Sequence, residues 1–194
     1  MDRIQALKQV SQMLCSDEQA AAEEILRNEL PFEPPANAGR SYSTAEKLSV
    51  YFRDGFIDRY SGEKLLNPGY LRVLSKLFPE AFPFHTNWKM SQCHMAFWQY
   101  TPTVDHLIPV ARGGVDEASN WVTTNMLHNA AKSNWFIAEL AWTLHPPGNW
   151  REWCGLSEEF LYIVERNPQL RDDSYIRQWY SATRKVLQEL NNMV

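Results

Sequence analysis

The stretch 102–134, PTVDHLIPVARGGVDEASNWVTTNMLHNAAKSN, constrains this chain more than any other, because it sets Asp105 beside His106 in a short apolar run bounded by Pro102 and Pro109. Val104, Leu107 and Ile108 make Thr103–Ile108 read as a strand. Arg112-Gly113-Gly114 forces a loop, and Asn120–Thr124 reads as a second strand able to pair with the first. From about Met126 the composition turns helical, through Leu127, Ala130, Ala131, Trp135, Ala138, Leu140 and Ala141. The predicted unit is strand, loop, strand, helix. Asp105 offers a hard oxygen ligand and His106 an imidazole base, the two functions that metal-assisted attack on a phosphodiester requires.

With those residues in view, the spacing Asp-His, Pro, Gly-Gly, Asn, then Asn and Lys resembles the HNH endonuclease family. The resemblance covers about residues 56–135. His106 matches the first His of that motif, Asn120 the middle Asn, and Asn129 the last position, so the chain looks like a His-Asn-Asn variant. It implies an α+β fold, mostly helical, with a central ββα-metal unit at about 102–143. It also implies one catalytic divalent ion and hydrolysis of DNA, double-stranded DNA being the substrate expected by resemblance.

One departure from the family pattern is informative. Many members bracket the catalytic unit with two Cys pairs that bind a structural zinc, and here the corresponding segments read Asp58-Arg59-Tyr60-Ser61-Gly62 and Asn125 with His128. A tetrahedral thiolate site cannot survive that loss, so no structural zinc is expected and packing should hold the fold instead.

The resemblance and the chemistry of the side chains assign the same roles. Asp105 and Asn129 would bind the ion through oxygen, a ligand set suited to Mg2+ or Mn2+. His106 would act as the catalytic base, and Asn120 would tie the loop through its amide. Lys132 shares a helix face with Asn129 and would sit near a phosphate. Arg112 would either grip a phosphate or cap a surface loop. Adjacent strand residues point to opposite faces, so either the strand is distorted at Asp105 and His106 or the two reach the phosphate from different sides. His85, Cys93 and His94 show no second half of a metal site and are left out.

Charge modifies the picture. The formal net charge is −4, and residues 1–38 hold seven acids and three bases, so the remaining 156 residues are neutral with 16 of each. That distribution argues against tight nonspecific DNA binding at physiological salt and leaves room for local positive potential. Three cysteines without framework spacing fit a cytoplasmic protein, and no run is long enough to cross a membrane.

The boundaries follow from composition. Residues 1–38 read as an acidic helical arm: Ile4, Leu7, Val10 and Leu14 recur at helical spacing, and a second helix runs from Ser16-Asp17-Glu18 to about Asn28. The arm is a packing extension by default, with homodimer formation or an accessory role as alternatives. A Pro-rich linker at 31–40 leads into residues 39–194, the nuclease domain with a helical C-terminal extension. There Ser43-x-x-Glu46 is a capping box, a helix follows from about Pro68 to Leu77, Cys93–Tyr100 is helix or strand, and HPPGNW at 145–150 is a break. Ser157 to Arg166 reads as a helix. Ser174 begins the last one, whose stripe of Ile176, Trp179, Tyr180, Thr183, Val186, Leu187 and Leu190 must be covered. The expected activity is a divalent-metal-dependent endonuclease; the rivals are a catalytically inactive nucleic-acid-binding module and a protein-interaction module on the same fold.

Overall fold

The computed structural model describes residues 2–32 and 42–192, so the expected linker lies outside the described residues from position 33 onward. The chain divides into two compact units, Met1–Arg40 and Ser41–Val194. In the first, α1 (Arg3–Cys15) and α2 (Gln19–Glu29) lie against each other, with Ala6, Val10 and Ala22 buried. Asp2 caps α1, whereas α2 begins at Gln19 after a left-handed Asp17 and has no side-chain cap.

The second unit is α+β, mostly helical around one two-stranded antiparallel sheet. Its helices are α3 (Thr44–Arg53), α4 (Pro68–Leu77), α5 (Ala96–Tyr100), α6 (Met126–Lys132), α7 (Ser157–Arg166) and α8 (Ser174–Asn192), and its strands are β1 (Pro102–His106) and β2 (Trp121–Asn125). The capping box at Ser43 and Glu46 starts α3 as the pattern predicts. Asn67 starts α4 by accepting from Gly69 N–H, and its amide also donates to Ser157 and Thr183, so one buried side chain ties α4 to α7 and α8. The stripe of α8 is covered by α3, α4 and α7: Leu48, Tyr51, Phe52, Val73, Phe160 and Val164 share one core with Ile176, Trp179, Val186 and Leu187. At Gly69 a Cβ would come within 2.4 Å of the Phe160 ring, so only glycine lets α4 approach α7 this closely.

One expected element is cut short. The helical pattern from Met126 to Ala141 yields a helix only as far as Lys132, because Ser133 takes a positive φ of 46° while its N–H still bonds to Asn129 O. Residues 134–142 then fold as successive turns that bring Trp142 against Tyr60 and His128. Tertiary packing of the aromatic rings overrides the local propensity. Among the described residues no helix is long and apolar enough to cross a membrane.

Asp173 shows how the helical layer is fastened. Its Oδ1 accepts from the N–H groups of Tyr175 and Ile176 at the start of α8, and its Oδ2 pairs with Arg72 at 3.0 Å and Lys76 at 3.1 Å from α4. Burial would raise this carboxyl, but Lys76, the Ile176 N–H and Arg72 outweigh it and hold it below its usual range. A depressed folded-state value adds stability that is present above the unfolded value, about 3.9, and is lost as pH falls through the folded one. Asp173→Asn should therefore cost about 1–3 kcal/mol at neutral pH and flatten the acid limb of the stability profile below about pH 4. Urea midpoints measured across that range check this, and parallel wild-type and variant curves would contradict it.

Candidate functional site

The two strands pair in unbroken register from Pro102 opposite Asn125 to His106 opposite Trp121. A regular strand alternates its side chains, and this one does. Thr103 and Asp105 face α6, while Val104 packs toward the main core and His106 meets Tyr42 and Asp116. The adjacent residues Asp105 and His106 thus serve opposite faces of an undistorted strand.

On the α6 side, Asp105 is buried, and its Oδ2 accepts from the Tyr60 hydroxyl at 2.6 Å and pairs with Lys132 Nζ at 3.0 Å. Lys132 is 0% exposed and also donates to the His106 carbonyl at 2.7 Å. Burial, and then the charge of Asp105, push the Tyr60 phenol well above its ordinary range, so it stays a donor. Lys132 shares the predicted face with Asn129, but that face turns inward: its ammonium is sealed against Asp105 instead of being open to a phosphate. Asn129 donates through Nδ2 to Thr103 Oγ1 at 3.0 Å. That leaves Oδ1 of Asn129 and Oδ1 of Asp105 as acceptors that receive no hydrogen bond among the described residues.

Two such oxygens suit a hard cation that keeps most of its water, and do not suit a thiolate-seeking metal. Among the described residues no group of three or more His, Cys, Asp or Glu could hold an ion by itself.

On the other face, His106 Nε2 lies 2.7 Å from Asp116 Oδ1. The Tyr42 hydroxyl, 3.3 Å from the same nitrogen, donates to Asp116, and Trp121 Nε1 donates to it at 3.0 Å. Tyr42 first, with His106 and Trp121 after it, holds the Asp116 carboxyl below its usual range against a smaller opposing effect of burial. A carboxylate only accepts, so Nε2 is a ring nitrogen that carries a proton toward it.

Asn120 ties the loop between the strands. Its Oδ1 accepts from Ile108 N–H, and its Nδ2 donates to the carbonyls of Ile108 and Val115, all at 2.9 Å. Gly114 is required beside it, because a Cβ there would sit 1.9 Å from Ile108 O. Arg112 does not reach this centre. It pairs with Glu139 and lies 4.0 Å over the Phe136 ring, which makes it a fastener of the loop to the 134–142 turns.

The positions read as lost zinc ligands form a polar clasp. Asp58 is fully buried and takes Thr124 Oγ1 and the Tyr60 N–H on Oδ1, and His128 Nδ1 at 2.6 Å with the Asn125 N–H on Oδ2. Packing is not the only fastening there: an aspartate and a histidine join the 58–62 turn to α6, and Asn125 caps that helix by accepting from His128 N–H at 2.7 Å.

No family model, curated protein or solved structure matches the chain. Three contributors escaped sequence reasoning: Tyr60, Asp116 and Tyr42. Tyr60 and Asp58 stood in the segment set aside as a zinc remnant, and the joint presence of Asp58 and His128 at two liganding positions was the available signal. Asp116 is one acid in a polar loop, and Tyr42 lies 64 residues from His106, so spacing carried no signal for either.

The Asp105–Lys132 pair yields a direct expectation. Lys132→Met keeps the bulk of the side chain but leaves a buried carboxylate without its counter-charge, which should cost about 3–5 kcal/mol. Urea denaturation measures this, and a loss below about 1 kcal/mol would show that the pair carries little of the stability of α6.

Proposed function

We propose that the chain is a divalent-metal-dependent endonuclease that hydrolyses phosphodiester bonds in DNA, built on a ββα-metal unit formed by β1, β2 and α6. The observation that carries this reading is the end of β1, where His106, its Nε2 turned to Asp116, sits directly after Asp105, and where Oδ1 of Asp105 and Oδ1 of Asn129 are both left as acceptors.

His106 and Asp105 serve one phosphate if that phosphate lies across the end of β1, reached from its two faces. Nδ1 of His106 accepts a proton from a water molecule as the water oxygen bonds to phosphorus. The bond from phosphorus to the 3′ oxygen breaks, that oxygen takes a proton from a second water molecule, and the products are a 5′ phosphate and a 3′ hydroxyl. Asp116 keeps the imidazole in the tautomer that can accept, and gains a favourable charge contact as the ring becomes cationic. Asp105 and Asn129 would hold the ion, which when bound stabilises charge on the phosphate and the leaving oxygen. Lys132 acts one step back: it anchors the Asp105 carboxylate and the His106 carbonyl, so it positions both residues.

A second reading, an inactive nucleic-acid-binding or protein-interaction module, draws on that same lysine. Asp105 already has a cation 3.0 Å away, and a buried ion pair of this kind is self-sufficient as structure.

Incubation with supercoiled plasmid in EDTA, Mg2+ or Mn2+ separates the two. Cleavage that needs the metal and falls at least about a hundredfold in His106→Ala is expected for the nuclease; no metal-dependent cleavage, or equal cleavage by the variant, favours the inactive module. Asn129→Ala should raise the Mg2+ concentration for half-maximal cleavage about tenfold or more while leaving thermal unfolding nearly unchanged. A metal requirement identical to wild type would remove Asn129 from the ligand set.

A further inference from the structure

A cavity of about 330 Å³ lies between α3, α8 and β1, next to the candidate site. Its size falls at the lower end of small-ligand pockets. Tyr42, Tyr175 and Trp179 are among the residues lining it, with Lys47 and Thr103. Two of these residues belong to both places: Tyr42 contacts Asp116 and His106, and Thr103 receives the Asn129 amide. An occupant of the cavity is therefore a neighbour of the reacting centre.

One further observation gives the cavity a chemistry. Lys47 on α3 makes no ion pair among the described residues, and neighbouring Glu46 is turned to the capping box. Its ammonium is available to an anion.

Rings for stacking and a cation for a phosphate are together what one nucleotide requires. A base within an intact duplex cannot enter such a space, since its faces are covered by its neighbours and its edge by its partner. We propose that this cavity receives one unpaired nucleotide of the DNA adjoining the cleaved phosphodiester, so that the substrate is single-stranded or locally opened DNA in preference to a fully paired duplex. The proposal rests on the nuclease reading for its substrate and revises the strand state that the family resemblance implies. The base stacks among Tyr42, Tyr175 and Trp179, while Lys47 takes the phosphate.

The test is fluorescence anisotropy in EDTA with a labelled single strand of about 12 nucleotides and with the same strand annealed to its complement. Binding needs no catalysis under these conditions, so it is read separately from cleavage in Mg2+. Wild type should bind the single strand at least about fivefold more tightly than the duplex, and Lys47→Gln and Tyr175→Leu should each weaken single-strand binding about five- to tenfold. Circular dichroism and thermal melting confirm that each variant is folded. Duplex bound as tightly as single strand, no binding at all, or variants that bind like wild type would overturn the pocket, and metal-dependent cleavage persisting in those cases would leave the nuclease standing. Binding that tracks the pocket variants without any cleavage would support the cavity and sink the nuclease.

Discussion

Two buried carboxylates on the turn after α3 hold the outer edge of β2. Asp54 accepts the Thr123 N–H at 2.8 Å and is flanked by the guanidinium groups of Arg53 and Arg59; four residues later Asp58 accepts the Asn125 N–H and the Thr124 hydroxyl. Arg59 N–H answers by donating to Thr123 O. A two-stranded ribbon alone is marginal, and an unpaired strand edge must find partners. Here the 54–59 turn takes the place of a third strand. It fixes β2, hence the register of β1, and hence the direction in which Asp105 and His106 leave the strand.

The second dependence runs through Lys132. Its ammonium joins Asp105, the His106 carbonyl and α6 in a space closed to water. An unpaired buried charge is far more costly than a paired one, so Asp105 and Lys132 require each other. The same pairing leaves only one oxygen of Asp105 for any other cation. On the proposed nuclease reading, an ion held here would need ligands from the substrate phosphate as well.

Much of this was legible in the sequence where the signal was local. The capping box at Ser43 and Glu46, the Asn67-Pro68 helix start, the strand pair and the α8 stripe all arise from contacts within a few residues or from simple alternation. The end of α6 was not legible, because Trp135, Ala138, Leu140 and Ala141 continue a helical pattern that the left-turning Ser133 interrupts. Nor was the burial of Lys132, whose spacing gives its face but not which way that face turns. Asp58 was read only as a missing thiolate, although its meeting with His128 spans 70 residues and recruits two polar types with liganding ability. What the sequence hid were the contacts closed over long separations: Tyr42 with His106, Tyr60 with Asp105, Asp58 with His128.

The shared core of α3 and α8 has a consequence in time. Leu48, Tyr51 and Phe52 are among the first apolar residues of the second unit to be synthesised, and Ile176, Trp179 and Leu187, which cover them, are among the last. At ordinary translation rates the interval between the two helices is roughly 6–25 seconds. During that interval α3 can already meet Phe56, the two strands and Trp150, but the cover that α8 supplies is missing until that helix leaves the ribosome. The hazard in making this protein lies in the wait, and shortening the intervening segment would relieve it more than strengthening any one contact.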